Sequence, residues 1–286
     1  MIQLKKNALY LVTGGSGFLG VPLVSRLIDS GVRVRVLSRS EGKLVELKQK
    51  HPSVEILTGD VSDPFEVKQA MNGVSGVFHL AASKHVGIAE DQVRECLKTN
   101  TIGSLNILEE SLNNNLDFVV GVSTDKAAQV SGVYGATKLL MERLFGQFSK
   151  LDNKCKYRIV RYGNVLYSTG SVLCKWKELI IKNKPLIITD PEATRFFWTV
   201  DQALDLIFEC LQNAQDSSPY VPEMRSMSMG NILDAMVIKY NPRYDGSQVK
   251  IIGLQAGENK HEKILEDGLS SAESEQYSVK DIMKLI

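Results

Sequence analysis

A short apolar segment followed by closely spaced glycines constrains the fold of this chain more than any other feature. Residues 8–13 (Ala-Leu-Tyr-Leu-Val-Thr) are typical of a buried strand, and residues 14–20 (Gly-Gly-Ser-Gly-Phe-Leu-Gly) follow directly. A helix is predicted from about Phe18 to Ser30. Glycines let the backbone approach a pyrophosphate, and the helix N-terminus stabilises its charge. Strand, glycine loop and helix in this order therefore predict a dinucleotide site.

The same alternation of strands and helices continues along the chain. Further strands are predicted at residues 32–37, 54–58, 75–80, 117–122 and 157–161, and one long helix from about Glu90 to Asn114. This pattern indicates an α/β fold, a doubly wound parallel Rossmann sheet with a smaller C-terminal substrate-binding lobe. We assign residues 1–165 to the NADP-binding Rossmann domain and 166–286 to the lobe, with about 195–213 returning to the sheet.

The end of the second strand bears on the cofactor. An NAD site favours Asp or Glu there for the ribose 2′-hydroxyl, whereas Arg39 can pair with the 2′-phosphate of NADP. An ordinary surface arginine is the alternative, and the sequence favours NADP. Asn100, within the long helix, either supports the neighbouring strand or faces solvent. The candidate cofactor residues are Gly14, Ser16, Gly17, Phe18, Leu19, Ser38, Arg39, Lys43, Asp60, Val61, Ala81, Ala82, Lys84, Asn100, Tyr134 and Lys138.

Polar residues cluster after the fifth predicted strand. Residues 123–126 (Ser-Thr-Asp-Lys) lie beyond its carboxyl end, where open α/β sheets bind ligands. Tyr134 and Lys138 are four residues apart on the next helix and share a face. A tyrosine acts as a base only if its pKa falls from about 10 towards neutrality, which costs about 4 kcal/mol. Lys138 and a nicotinamide ring can supply this. Asp125 and Lys126 form either an acid and base pair or a solvated loop.

Composition excludes several classes of function. The net charge is +1 and charged residues make up 23% of the chain, so no electrostatic argument favours nucleic acid or an anionic membrane. Residues 1–6 do not resemble a signal peptide, and no apolar run reaches the length of a membrane span. We expect a cytoplasmic protein. The four cysteines and four histidines lack metal-ligand spacing, so free thiols and no metal are predicted.

Several motifs together resemble the extended short-chain dehydrogenase/reductase superfamily. Gly14-x-x-Gly17-x-x-Gly20 and Tyr134-x-x-x-Lys138 carry this resemblance. Longer stretches are similar to the soluble, C5-inverting UDP-N-acetylglucosamine 4,6-dehydratases of the polysaccharide-biosynthesis group. These stretches are residues 81–86, 98–100, 123–127, 134–138, 161–165, 194–196 and 257–262.

The resemblance implies a role for each matching catalytic residue. Tyr134 is the implied base at the hydroxyl of sugar carbon 4, and Lys138 lowers its pKa and holds the nicotinamide ribose. Thr124 steadies the carbon 4 oxygen, Asp125 protonates the departing carbon 6 hydroxyl, and Lys126 is the base at carbon 5. In dTDP-glucose dehydratases a Glu stands in the place of this Lys. The reaction that the resemblance implies is an internal redox reaction, in which NADP would carry a hydride from carbon 4 to carbon 6 and be regenerated.

The implied partner is a UDP-sugar, and the resemblance also implies a homo-oligomer paired through helices starting near Glu90 and Ser131. The basic residues of the lobe suit a diphosphate or carboxylate, with surface ion pairs as the alternative. The candidate substrate residues are Lys84, Arg161, Asn164, Ser171, Val172, Arg195, Arg225, Glu258 and His261. The family pattern Gly-Ser-Arg-Gly-Ser reads Tyr-Ser-Thr-Gly-Ser at 167–171, so Thr169 replaces an arginine.

Two other functions need fewer of these residues. A sugar-nucleotide epimerase or ketoreductase needs Tyr134 and Lys138 but has no use for Asp125 and Lys126. A non-enzymatic NADP-sensing protein needs none of the four. Dehydration of a UDP-hexose is the only one of the three hypotheses that uses every member of the cluster.

Overall fold

A seven-stranded parallel sheet forms the centre of the molecule. The computed structural model describes residues 3–255 and 257–286. Its strands are β1 (Leu9–Thr13), β2 (Arg33–Ser38), β3 (Glu55–Thr58), β4 (Gly76–His79), β5 (Phe118–Thr124), β6 (Lys156–Tyr162), β7 (Asn164–Val165), β8 (Leu186–Ile188), β9 (Thr194–Trp198), β10 (Pro219–Tyr220), β11 (Ser226–Ser228) and β12 (Val249–Ile251). The sheet order is β3–β2–β1–β4–β5–β6–β10. The order reverses between β1 and β4, which opens a crevice at their carboxyl ends.

Helices cover both faces of this sheet and confirm the predicted fold class. They are α1 (Gly20–Asp29), α2 (Glu41–Lys50), α3 (Pro64–Met71), α4 (Val86–Asp91), α5 (Val93–Leu97), α6 (Gly103–Ser111), α7 (Val133–Leu151), α8 (Val172–Ile181), α9 (Val200–Asn213), α10 (Met229–Tyr240) and α11 (Val279–Leu285). Helices α1, α2 and α9 pack on one face. Helices α3, α6 and α7 pack on the other. Burial on both faces explains why the strands read as continuous apolar runs.

A second, smaller apolar core lies in the C-terminal part of the chain. It is built from α8, α10 and α11 together with β8 and parts of β9 and β11. Two small sheets belong to this region, one in the order β11–β9–β7 and the other pairing β12 with β8. Because α9 packs on the large sheet, the two regions interleave along the chain. The domain boundary at residue 165 stays a prediction.

The single long helix predicted from about Glu90 to Asn114 is wrong. The chain forms α4 and α5, then a π-helical turn at Lys98–Ile102, then α6. Gln92 has φ −120° and ψ 54°, which ends α4. The π turn buries Asn100 completely, and its side chain accepts from the Ser83 amide (2.8 Å) and donates to the Ser83 carbonyl (3.0 Å). The irregular turn thus fixes the loop after β4.

Within the residues that the structure describes, no helix is both long and apolar enough to cross a membrane.

Candidate active site

A cavity of about 660 Å³ runs along the carboxyl edge of the sheet, from the glycine loop to the start of α8. All but one of the candidate cofactor residues line it, and Lys84, Asn164 and Ser171 of the substrate set do so as well. Asn100 is the exception among the cofactor residues, because it lies behind the wall and holds Ser83. The sequence therefore located the cavity.

Two glycines of the glycine loop, Gly14 and Gly20, stand where no side chain has room. Gly14 has φ +68°, and a Cβ there would lie 2.9 Å from the Ala81 amide nitrogen. A Cβ on Gly20 would lie 2.4 Å from the carbonyl oxygen of Gly14. The loop consequently packs tightly against the end of β4 and leaves its backbone open at the N-terminus of α1. This cradle fits a dinucleotide pyrophosphate.

Two cationic side chains line the cavity rim at the end of β2. Arg39 is 60% exposed, and its Nη1 lies 3.6 Å from Asp60 Oδ2. Lys43 lines the same region, and the Ser38 hydroxyl bonds to that of Ser16 at 2.7 Å. These groups fit a phosphorylated ribose, although Asp60 already offsets part of the Arg39 charge.

The turn after β5 brings the catalytic candidates together. Thr124, Lys126, Tyr134 and Lys138 line the cavity, whereas Asp125 is completely buried behind it. Asp125 Oδ1 accepts from the Thr124 hydroxyl at 2.8 Å and from Lys126 Nζ at 3.1 Å. In the described part of the chain, Asp125 Oδ2 has no hydrogen-bond partner.

Close packing at Gly135 sets the position of Tyr134. A Cβ on Gly135 would lie 2.3 Å from the carbonyl oxygen of Lys126. Helix α7 therefore rests directly on the backbone of the Asp125–Lys126 turn. This contact holds Tyr134 on the same side of the cavity as the acid and base candidates.

Burial acts against the lower Tyr134 pKa that a base requires, and the predicted fall, which includes the charge of a bound nicotinamide ring, stays a prediction. Burial raises the pKa of Tyr134 to about 12, although the charge of Lys126 and the hydroxyl of Thr124 oppose the rise. Burial also lowers the pKa of Lys138 to about 8, with Glu142 opposing. Lys138 Nζ lies 3.1 Å from Met141 Sδ. Desolvation outweighs the local charges, and the cation acting on Tyr134 is Lys126 rather than Lys138.

The sequence prediction missed Glu262, which lies beside Lys126. Lys126 Nζ is 3.4 Å from Glu262 Oε1, and the Glu262 carboxylate is buried. Burial disfavours the charged form of Lys126, but Asp125 and then Glu262 outweigh it and raise the Lys126 pKa. Lys126 is therefore an ammonium in this structure. The motif at 257–262 was noticed in the sequence, but Glu258 and His261 were chosen from it.

The structure contradicts the predicted substrate contact of Arg161. Its guanidinium pairs with both carboxylate oxygens of Glu142, at 3.0 Å from Nε and 2.5 Å from Nη2. Its Nη1 donates to the Ile264 carbonyl at 2.7 Å. Arg161 is 2% exposed, so its side chain is committed to internal partners. Arg161 ties α7 and the C-terminal segment, residues 257–271, to β6.

Five other members of the substrate set are not among the described residues that line the cavity. They are Val172, Arg195, Arg225, Glu258 and His261. Arg195 is buried and donates to the carbonyls of Thr194 and Lys260. Its predicted contact is therefore contradicted by internal hydrogen bonding.

A surface ion pair and a side-chain hydrogen bond occupy two more of these residues. Arg225 pairs with Glu275 at 2.8 Å, as in the surface-pair alternative, and lies over the Tyr277 ring. His261 Nδ1 bonds to the Thr194 hydroxyl at 2.8 Å. The roles of Val172 and Glu258 as substrate ligands stay predictions.

The family's glycine position at 167 has an unusual backbone in this chain. Tyr167 adopts φ +56°, in the left-handed region that favours glycine. Its hydroxyl bonds to that of Tyr240 at 2.7 Å, which holds the strained residue in place. Two residues later, Thr169 lines the cavity, and its carbonyl accepts from Lys84 Nζ at 3.4 Å. A lysine thus occupies the region where the family pattern has an arginine.

Comparison with known proteins gives the family of the chain. The family described as "Polysaccharide biosynthesis protein" matches residues 10–285. The chain belongs to this family. A protein of Methanocaldococcus jannaschii, named "Uncharacterized membrane protein", is 34% identical over 286 residues, covering 97% of this chain and 84% of that protein.

Relatives in this family carry two different activities in their names. A Campylobacter jejuni "UDP-N-acetylglucosamine 4,6-dehydratase (inverting)" is 32% identical over 96% of this chain and 82% of its own length. A Rickettsia rickettsii "UDP-glucose 4-epimerase" is 30% identical over 89% and 76%. The solved structure of Pen from Bacillus thuringiensis has 30% identity and a TM-score of 0.87, covering 92% and 83%. Family and fold support an enzyme of the short-chain dehydrogenase/reductase superfamily.

Proposed function

We propose that the protein catalyses 4,6-dehydration of a UDP-linked hexose, with UDP-N-acetylglucosamine as the preferred substrate and inversion at carbon 5. The observation that carries the proposal is the Asp125–Lys126 ion pair next to Tyr134: Lys126 and Tyr134 line one cavity, and Asp125 is buried directly behind it. This pair adds an acid and a base to the Tyr and Lys needed for oxidation at carbon 4. The inverting dehydratase name of a relative supports the same chemistry.

The residues divide between oxidation and elimination. NADP bound in the cavity would accept a hydride from carbon 4 and return it to carbon 6. Tyr134 removes the proton of the carbon 4 hydroxyl, and Thr124 positions that oxygen. Because burial raises the Tyr134 pKa, the phenolate needs positive charge nearby: Lys126 provides it, and a bound oxidised nicotinamide ring would add to it.

Asp125 and Lys126 are one proton transfer away from the forms that elimination requires. Moving the proton from Lys126 Nζ to Asp125 Oδ1, 3.1 Å away, gives a neutral amine and a neutral carboxylic acid. The amine then takes the carbon 5 proton while the acid protonates the departing carbon 6 hydroxyl, which leaves as water. The ion pair is restored, and the carbon 4 ketone acidifies the carbon 5 proton.

A 4-epimerase is the second candidate, since relatives carrying that name also match most of the chain. Incubation with a panel of UDP-hexoses and no added reductant separates the two by the product. A 4-keto-6-deoxy sugar supports dehydration, and a sugar inverted at its carbon 4 hydroxyl supports epimerisation. A complete lack of turnover would leave the NADP-sensing alternative.

Turnover in heavy water is expected to give an L-arabino-configured 4-keto-6-deoxy sugar with deuterium at carbon 5. Inversion requires the carbon 5 proton to be replaced on the opposite face of the ring, from a group or water that exchanges with solvent. Carbon 6 should carry the hydrogen that started at carbon 4. Proton NMR of the first-formed product measures both positions. A D-xylo product formed first would contradict inversion but not dehydration.

We expect NADP to bind at least about tenfold more tightly than NAD, or about 1.4 kcal/mol, because Arg39 and Lys43 face the expected 2′-phosphate. Arg39→Ala should remove most of this preference and leave NAD affinity unchanged. Titration calorimetry with both dinucleotides measures it. Equal affinities for the wild-type protein would show that Asp60 neutralises Arg39.

The homo-oligomer stays a proposal. Apolar side chains are exposed on the helices that were expected to pair between subunits. They are Val93 and Leu97 on α5, Ile102 in the turn between α5 and α6, and Leu140 on α7. Light scattering of the purified protein tests it.

A further inference from the structure

Four charged side chains of alternating sign form one cluster beside the cavity. Asp125 and Glu262 both approach the Lys126 ammonium, at 3.1 and 3.4 Å. Arg195 Nε lies 3.8 Å from the same Glu262 oxygen that faces Lys126. Asp125, Glu262 and Arg195 are buried, with Glu262 only 1% exposed. The C-terminal segment thus contributes a carboxylate to the turn that carries the proposed elimination.

Residues of its own segment hold both the carboxylate and the backbone of Glu262. Asn259 Nδ2 donates to Glu262 Oε2 at 3.3 Å, which leaves Oε1 facing Lys126. The Glu262 backbone amide donates to the Ser271 hydroxyl at 2.9 Å, and the Ser271 amide donates to the Glu262 carbonyl at 2.7 Å. The Ser271 hydroxyl in turn bonds to that of Thr194 on β9. The orientation of Glu262 is therefore built into the fold.

We propose that Glu262 is a positioning residue of the elimination step: it holds Lys126 against Asp125 and sets the pH range over which the pair carries one proton. This inference rests on the proposed dehydratase function. A lysine held by Asp125 alone would be free to rotate its ammonium into the cavity. With a second carboxylate behind it, Nζ stays within reach of Asp125 Oδ1.

The negative charge of Glu262 has a second effect, because it raises the pKa of Lys126. The ionisable groups that act on Lys126 are Asp125, Glu262, Arg195 and, across the turn, Tyr134. The carboxylates raise the Lys126 pKa, and Arg195 opposes them. The reactive pair must hold one shared proton, so it fails at high pH once that proton is lost. Removing the Glu262 charge lowers the Lys126 pKa and moves this alkaline limit to lower pH.

The test compares pH profiles of Glu262→Gln, Glu262→Asp and Glu262→Ala in the full chain. Glu262→Gln keeps the shape but removes the charge, so its kcat should begin to fall at least about one pH unit below the wild-type limit. Glu262→Asp should restore the wild-type limit, because the charge returns. Glu262→Ala should lower kcat about tenfold or more at every pH, because Lys126 loses its support.

Two further measurements separate this inference from the function on which it rests. The exposed Glu266→Gln in the same segment is the matched control and should keep the wild-type profile. Absorbance of reduced nicotinamide during a single turnover reports oxidation at carbon 4. The three Glu262 variants and Glu266→Gln should all retain this oxidation. A wild-type profile and rate in both Glu262→Gln and Glu262→Ala would overturn the role of Glu262. No dehydrated product from the wild-type protein would instead overturn the proposed function.

Discussion

Lys126→Arg is expected to lower the rate of elimination about 10³-fold while the protein stays folded and binds its cofactor. Arginine keeps the positive charge that the buried Asp125 and Glu262 carboxylates require, but it does not lose its proton in the accessible pH range. Elimination requires a neutral base at carbon 5, so only the chemistry should fail. Product formation by NMR and the melting temperature measure the two effects separately.

Lys126→Ala makes the complementary experiment. It also removes the base, but it leaves two buried carboxylates without their shared cation, so the loss of elimination should be joined by a lower melting temperature. Lys126→Arg should still reduce bound NADP transiently at carbon 4, whereas Lys126→Ala should do so more slowly, because it loses the charge that supports the Tyr134 phenolate. The exposed Lys250→Ala serves as control and should resemble the wild type. Normal turnover by Lys126→Arg would show that another group is the base.

Arg161→Ala is expected to destabilise the fold by about 3–5 kcal/mol, because it leaves the Glu142 carboxylate buried without its ion-pair partner. It also removes the donor to the Ile264 carbonyl. Denaturant unfolding followed by circular dichroism measures the free energy. Arg33→Ala breaks a largely exposed pair with Glu55 and should cost much less.

A double variant tests the origin of this loss. Replacing Arg161 and Glu142 together by leucine removes both charges, so it should recover much of the stability lost in Arg161→Ala. A similar loss in the single and double variants would show that packing or the Ile264 contact, rather than the unpaired carboxylate, dominates. If Arg161→Ala proves fully stable but binds UDP weakly, Arg161 is a substrate ligand after all.

The sequence predicted the strands and the glycine cradle, because these features depend on residues that are close together in the chain. Apolar runs located β1 to β6, because a buried strand needs several consecutive apolar residues. The glycines located the cradle, because the left-handed backbone at Gly14 favours glycine. Thr124, Lys126 and Tyr134 were placed at the cavity because carboxyl ends of parallel strands share one edge.

Features that depend on distant partners were not predictable in this way. The break near Gln92 and the π turn around Asn100 depend on hydrogen bonds to the loop after β4. Arg161 was assigned to substrate since its partners, Glu142 and Ile264, share no spacing with it. Glu262 was overlooked for the same reason.

The position of the C-terminal segment in the chain determines the order in which the two parts of the site can form during synthesis. Gly257 accepts from Ser131, and Asn259 reaches Gln129, so this late segment closes over a turn made much earlier in translation. A nascent chain emerging from the ribosome can therefore assemble its dinucleotide cradle long before Glu262 is synthesised. Truncating the chain before Gly257 should likewise remove the carboxylate behind Lys126 while the glycine loop of the cradle remains.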